Sequence, residues 1–207
     1  MNTLATVKLQ HAIAPEDQAR AEIYAVLARL YSAAPDAPML AALGASDLWT
    51  EEPDNPIAGA WNRLVLASRA MDAEAAEQEY TDLFVGVGKA ECNLHASYWL
   101  PSALPRPLVG IRAELAEIGL ARRDGSALYE DHLGALCETM RILIAGTDER
   151  RPADLATQRS FFARWIEISA FSCCDAIYAS PIANYYRRVA EFTGLFLAVE
   201  RDSLAIE

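Results

Sequence analysis

The sequence predicts an all-α fold, a compact multi-helix bundle, and three of its features carry this prediction. Apolar residues recur every three or four positions over most of the chain, as on the buried face of a helix. Sustained alternation of apolar and polar residues, which is typical of strands, is missing. Prolines and glycines stand where such helices would begin and end. The 207 residues, 53% of them hydrophobic, are enough for one domain with a buried core.

The helical spacing divides the chain into successive predicted helices. The first begins at Pro15 and is broken by Pro35 and Pro38, and we expect residues 1–14 to be a flexible N-terminus. Further apolar stripes lie within the segments 57–71, 73–84, 108–118, 129–144, 152–178 and 181–201. We expect the segments 107–119 and 128–145 to pack together through Ile111, Leu115, Leu136 and Met140. Between residues 86 and 107 the periodicity disappears, and this is the longest irregular segment of the chain.

Composition excludes several classes of function. Asp and Glu number 29 against 18 Lys and Arg, so the formal net charge is −11 and phosphate backbones are repelled. No apolar stretch approaches the roughly 20 residues that a membrane span needs. Residues 1–10 lack the basic and apolar regions of a secretory signal. We therefore expect a cytoplasmic protein with no membrane span and no nucleic-acid partner.

The cysteines and histidines do not form a recognisable metal or redox motif. The four cysteines contain no C-x-x-C pair, which favours reduced, buried thiols in a reducing compartment. Glu91, Cys92 and His95 are close in sequence, but zinc requires three or four ligands, and the other histidines lie far along the chain. His132 directly follows Asp131, and neighbouring helical side chains do not face each other. The residues alone favour a packed, hydrogen-bonded His132 and no metal or cofactor.

Two further motifs fail on inspection. The Gly88-Lys89 pair resembles a phosphate-binding loop, but Leu83 stands where that loop requires its first glycine, and Ala90 replaces the Ser or Thr that holds magnesium. Ser97 lacks the flanking glycines of a hydrolase nucleophile elbow. No catalytic residue is therefore predicted.

Two segments together resemble the TorD/DmsD/NarJ-type redox-enzyme maturation chaperones. The run from Glu79 to Gly88 resembles the "Y-x-x-L-F-x-G-P-G" segment of that family, and the run from Tyr129 to Leu133 resembles its "E-P-x-D-H-L" segment. About 45 residues separate the two, which also suits the family, and the resemblance extends from about Ala19 to Arg201.

The chain departs from the family pattern at several positions, which places it in a divergent branch. Val87 replaces the proline between the glycines, and Leu128 and Tyr129 replace the Glu-Pro pair before Asp-His. The usual "P-P-Y-E-S-V-Y" is replaced by residues 93–99, which keep Ser97 and the aromatics but carry Ala96 in place of the glutamate. Trp165 stands where a late histidine is common.

The resemblance implies a TorD-like bundle that binds the twin-arginine leader, the body, or both, of a molybdenum or tungsten oxidoreductase catalytic subunit until its cofactor is inserted. Such a site needs carboxylates for the arginines and apolar walls for the rest of the leader. The segment 93–99 looks like that of a formate-dehydrogenase-linked branch. The chain is expected to be a monomer or a domain-swapped dimer. The residues expected to contact the client are Tyr80, Phe84, Gly86, Gly88, His95, Ser97, Tyr98, Trp99, Glu130, Asp131 and His132.

Two other functions stay open at this point. A structural assembly subunit would have one permanent partner and no affinity for a leader peptide. A metal-dependent helical enzyme would use Cys92, His95 and His132, although no complete catalytic constellation is visible.

Overall fold

The computed structural model describes residues 13–53, 55–86, 90–101, 106–122, 125 and 127–206. The predicted flexible segment 1–14 lies mostly outside these residues, as does Gly88. Within them the chain forms helices and no strand, which confirms the all-α class and the helical bundle. No helix among the described residues is long and apolar enough to cross a membrane. The helices are α1 (Pro15–Ser32), α2 (Ala37–Ala45), α3 (Pro56–Ala70), α4 (Ala73–Tyr80), α5 (Ala96–Trp99), α6 (Pro107–Glu117), α7 (Leu133–Ala145), α8 (Leu155–Phe161), α9 (Glu167–Ala179) and α10 (Tyr185–Ala205).

Several helix boundaries differ from the sequence prediction because side chains cap the helices. The predicted helix 152–178 begins only after Asp154, whose carboxylate accepts a hydrogen bond from the Thr157 N–H, and a π-helical turn, Phe162–Ile166, divides it into α8 and α9. A second π-helical turn, Thr81–Val85, follows α4. Pro181 precedes α10 by several residues, and a distant side chain caps this helix, as described below.

The packing of α7 also differs from the prediction. Its extensive partner is α1, and the two backbones approach closely at Gly134. A Cβ atom there would lie 3.0 Å from the Ala28 carbonyl oxygen and would overlap Ser32 Oγ, so only glycine fits without rearrangement. Ile111, Leu115, Leu136 and Met140 are all buried, as predicted. They belong to one buried cluster, and Leu115 of α6 also lines a cleft together with residues of α7.

Candidate functional site

Backbone hydrogen bonds bring the segment 93–99 against the start of α7. The Ala96 N–H donates to the Asp131 carbonyl at 2.8 Å, and the Leu133 N–H donates to the Leu94 carbonyl at 2.8 Å. Residues that are far apart in sequence therefore lie side by side, with His95 bridged to His132. The structure thus places His95, Ser97, Asp131 and His132 in one cluster.

Asp131 is the centre of this cluster. Its side chain is buried, and one oxygen accepts a hydrogen bond from His95 Nδ1 at 2.9 Å. The other oxygen accepts from the Ser97 hydroxyl at 2.5 Å and from the Ser97 N–H at 3.4 Å. Burial alone would raise the pKa of this carboxyl, but the hydrogen bonds from His95 and Ser97 outweigh it and lower the pKa below its usual value. The carboxylate is therefore charged and already hydrogen-bonded within the chain.

His132 is packed and neutral. Only 5% of the residue is exposed, and its Nδ1 accepts a hydrogen bond from the Gly134 N–H at 3.2 Å, which caps α7. Burial, with a smaller contribution from nearby His95, lowers the pKa of His132 to about 4. Since Nδ1 is an acceptor, the ring proton is on Nε2. The residues alone, without the family resemblance, predict a packed and hydrogen-bonded His132, and the structure confirms this prediction.

We expect Asp131→Asn to lower the free energy of unfolding by about 1–3 kcal/mol, since it weakens charge-assisted hydrogen bonds inside the protein. The charged form of Asp131 is favoured by folding, so its contribution is present above the unfolded pKa near 3.9 and is lost as pH falls below it. Urea unfolding at pH 7 measures the effect. Asp202→Asn, at an exposed carboxylate paired with Arg201, is the control and should change stability by less than about 0.5 kcal/mol. Equal stability of Asp131→Asn and wild type would contradict this account of the cluster.

The aromatic residues of the first motif lie on another part of the bundle. Tyr80 and Phe84 pack against each other and against Tyr186 of α10, and the Tyr80 hydroxyl donates to the Tyr31 carbonyl at 3.0 Å. Gly86 follows with a φ of 63°, a conformation that glycine adopts readily, and ends the π-helical turn. Among the described residues, no hydrogen bond or ring contact joins these three to the Asp131 cluster, so their place in a client site stays a prediction.

Glu79, at the start of the same motif, has a role that the sequence did not indicate. Its carboxylate accepts hydrogen bonds from the backbone N–H groups of Asn184, Tyr185 and Tyr186 at 2.8–3.0 Å. It therefore caps α10 from more than a hundred residues away in sequence. Nothing local signals such a cap, because the usual capping residue immediately precedes its helix.

Two exposed aromatic residues lie near the Asp131 cluster. Tyr98 is 59% exposed and Tyr129 is 51% exposed, and the His95 ring lies 6.1 Å from the Tyr129 ring. Trp99 is partly buried and donates from Nε1 to the Asn93 carbonyl at 2.7 Å. We call Tyr98, His95 and Tyr129 the aromatic surface.

Glu130 lies at one end of the aromatic surface. Its two carboxylate oxygens accept hydrogen bonds from Arg112 Nε at 2.9 Å and Nη2 at 3.1 Å. Burial alone would raise the pKa of Glu130, but the hydrogen bonds from Arg112 outweigh it and lower the pKa. Arg112 was not among the predicted site residues, and only the folded chain brings it to Glu130.

A cleft of about 580 Å³ begins at Tyr129 and Glu130 and lies between α6, α7 and the end of α1. Its apolar walls are formed by Leu115, Leu120, Leu128, Ala135 and Ile142. Its polar lining includes Arg122, Glu130, Glu138 and Thr139. The volume is within the range of small-ligand and peptide side-chain pockets, and the lining combines apolar walls with two carboxylates. Of the predicted site residues that the structure describes, only Glu130 lines this cleft.

The residues considered for metal or redox chemistry do not assemble. Within the described ranges no group of three His, Cys, Asp or Glu side chains is arranged to hold a metal ion. All four cysteines are buried and unpaired, as predicted, and burial raises the pKa of Cys92 to about 11 and that of Cys174 to about 12. At neutral pH these thiols are protonated and are packed as small apolar groups.

A family model described as nitrate reductase delta subunit matches residues 50–167, which is more than half of the chain and includes the Asp131 cluster and most of the cleft lining. The chain belongs to the nitrate reductase delta subunit family. These proteins are NarJ/TorD-type chaperones that assist the assembly of molybdoenzymes, so the match confirms the resemblance found in the sequence. No curated protein matches the chain.

Proposed function

We propose that this chaperone binds the twin-arginine leader of a molybdenum or tungsten oxidoreductase subunit in the cytoplasm and holds the subunit until its cofactor is inserted. The observation that carries the proposal is the cleft, whose apolar walls and carboxylates suit a segment that combines an apolar stretch with arginines. The chain performs no catalysis in this account, and it acts as a monomer or a domain-swapped dimer.

The apolar part of the leader would occupy the cleft between α6 and α7. Its apolar lining includes Leu115 of α6, Leu120 just after that helix, and Ala135 and Ile142 of α7. Affinity would come mainly from burying this apolar surface, at about 25 cal/mol for each square ångström removed from water. Tyr129, half-exposed at the cleft, can cover the bound segment.

The arginines of the leader would bind at Glu130 and Glu138. Both carboxylates have arginine partners within the chain: Arg112 is paired with Glu130, and Arg141 with Glu138 at 2.7 Å. The Arg112 side chain is 47% exposed, so water and salt screen its ion pair with Glu130. A guanidinium of the client can therefore replace it at small cost and form the same two-pronged contact. The net charge of −11 would also attract a basic leader at long range.

Asp131 has a supporting role in this proposal. Because its carboxylate accepts hydrogen bonds from His95 and Ser97, it fixes the segment 93–99, which carries Tyr98. His132 fixes the start of α7 in the same way. The exposed members of the aromatic surface, not the buried Asp131 carboxylate, would make the direct contacts.

Filling the cleft tests the proposal. Ala135→Phe places an aromatic ring inside the cleft. We expect this variant to bind a synthetic twin-arginine leader about tenfold more weakly or worse, because the ring occupies the space for the apolar segment of the leader. Isothermal titration calorimetry measures the affinity, and circular dichroism verifies the fold. Ala42→Phe, at an exposed position of α2, is the matched control and should bind normally. Unchanged affinity of a folded Ala135→Phe variant would show that the leader does not occupy the cleft.

Within this class of client we propose a catalytic subunit of the formate-dehydrogenase type, on the resemblance of residues 93–99 to that branch. Co-purification of the tagged chain from its own cell, followed by mass spectrometry of the bound subunit, decides the matter. Recovery of a formate-dehydrogenase-type subunit would support this client assignment. Recovery of a nitrate-reductase-type subunit would contradict the assignment but not the proposal that the chain binds a leader.

A further inference from the structure

A second exposed apolar patch precedes both motifs in the chain and lies on α3 and the segment that follows α2. Leu48 is 48% exposed, Trp49 is 36% exposed, and Leu66 of α3 is 51% exposed. The segment runs beside α3: Arg69 donates to the Ser46 carbonyl, Trp61 Nε1 to the Asp47 carbonyl at 2.9 Å, and Asn62 binds Trp49. Leu66 is four residues after Asn62 and three before Arg69 on α3, and residues at this spacing share one face of a helix. Leu66 therefore lies on the face of α3 that this segment contacts.

Trp49 is held rigidly although its ring is partly exposed. The Asn62 side chain accepts from the Trp49 N–H at 2.8 Å and donates to the Trp49 carbonyl at 2.9 Å, so both backbone groups are fixed. The ring stacks on Trp61 with centroids 5.1 Å apart and meets the edge of Phe192 at 6.1 Å. Such a pre-ordered aromatic residue loses little conformational entropy on binding, which is the property of an interface anchor.

Three carboxylates lie close to Trp49 in the sequence, and Arg69 binds the Gly44 and Ser46 carbonyls at the other end of the segment. Asp47, Glu51 and Glu52 are exposed, and none of them forms an ion pair within the part of the chain that the structure describes. The neighbouring Arg63 guanidinium is paired with Glu191 at 2.8 Å, and Glu51 accepts a hydrogen bond from the Asn62 side chain at 3.0 Å, so Asp47 and Glu52 are the carboxylates left for a partner. An anionic membrane or a second copy of this chain, itself at −11, would be repelled. A basic partner would be attracted.

We propose that Leu48, Trp49 and Leu66 form a docking surface for a basic amphipathic helix of a partner protein. The apolar stripe of that helix covers the three side chains, and its flanking lysines or arginines face Asp47 and Glu52. The surface is separate from the cleft, so its occupancy does not require the leader.

The probe for this surface is a synthetic helical peptide of about 18 residues with a leucine stripe flanked by lysines. The chain is labelled with 5-fluorotryptophan, and the fluorine resonance of Trp49, assigned with Trp49→Phe, is followed during titration. We expect this resonance to shift to saturation while that of buried Trp165 stays in place. The same peptide with glutamates for lysines should bind at least about tenfold more weakly.

Two changes to the surface, one apolar and one in charge, ensure that misfolding of a single variant cannot decide the test. Trp49→Ala should weaken the lysine peptide about tenfold, and Tyr178→Ala, a similarly exposed aromatic of α9, should not. Asp47→Lys with Glu52→Lys leaves the packed rings untouched and should also weaken binding. Equal affinity for the lysine and glutamate peptides, or lysine-peptide binding that survives both Trp49→Ala and the charge reversal, would overturn the proposal. So would self-association through Trp49, detected by analytical ultracentrifugation.

Discussion

Lowering the pH from 7 to 4 is expected to reduce the free energy of unfolding of the wild-type protein by about 3 kcal/mol more than that of a His132→Asn variant. The reason is that folding lowers the pKa of His132 from 6.5 to about 4. The folded state favours neutral His132, so its contribution is complete above pH 6.5. It is lost as pH falls through the window between 6.5 and 4, in which the unfolded chain binds the proton and the folded chain does not.

The variant is chosen to keep the structure while it removes the titration. Asparagine is a good helix-capping residue, so the amide oxygen introduced by His132→Asn would accept the Gly134 N–H as Nδ1 does in the wild type. His95, the carboxyl of Asp131 and all other acidic groups remain in both proteins. Urea unfolding at several pH values gives the two curves. Parallel curves between pH 6.5 and 4 would show that His132 is not neutralised by burial.

Arg20→Met is expected to lower the free energy of unfolding by about 3–5 kcal/mol, since it leaves a buried carboxylate without its cation. Arg20 donates to Glu200 through Nε at 2.7 Å and Nη2 at 3.0 Å, and the Glu200 side chain is only 2% exposed. The same guanidinium binds Gln158 at 3.2 Å, so it joins α1, α8 and α10.

Two further variants locate the cause of that loss. Arg201→Met removes an arginine whose pair with Asp202 is exposed, and should cost less than about 1 kcal/mol. The double variant Arg20→Met with Glu200→Leu removes both charges, and we expect it to recover most of the lost stability. Thermal unfolding provides the comparison. If the double variant were as unstable as Arg20→Met, packing around Arg20 and not the unpaired charge would be the cause.

The helices could be predicted because their signals are local. The apolar stripes of α3, α6 and α7 repeat within a few turns, and Pro56 and Pro107 mark where α3 and α6 begin. The start of α7 was predicted too early, at Tyr129, because the apolar pattern extends past the true boundary. The bend at Asp131 and the His132 cap depend on contacts with residues 94–97, which the pattern does not contain.

The candidate site could be predicted only in part, because its geometry depends on contacts between distant segments. The family resemblance pointed to His95 and Ser97 in the segment 93–99 and to Asp131 in the second motif, and the fold does bring these together. The sequence did not show that the Asp131 carboxylate would be used internally. It also did not indicate the cleft, since Leu115 and Ala135 belong to different helices and their facing positions follow from tertiary packing.

The central claim is tested most directly by two calorimetric titrations. One uses a synthetic twin-arginine leader, and the other uses the same leader with its two arginines replaced by alanine. At 0.1 M salt, where the Debye length is about 10 Å, we expect the native leader to bind and the alanine leader to bind about tenfold to a hundredfold more weakly. The apolar stretch is unchanged, so some affinity should remain. Equal binding of the two peptides would remove arginine recognition from the account, and no binding of either would contradict it.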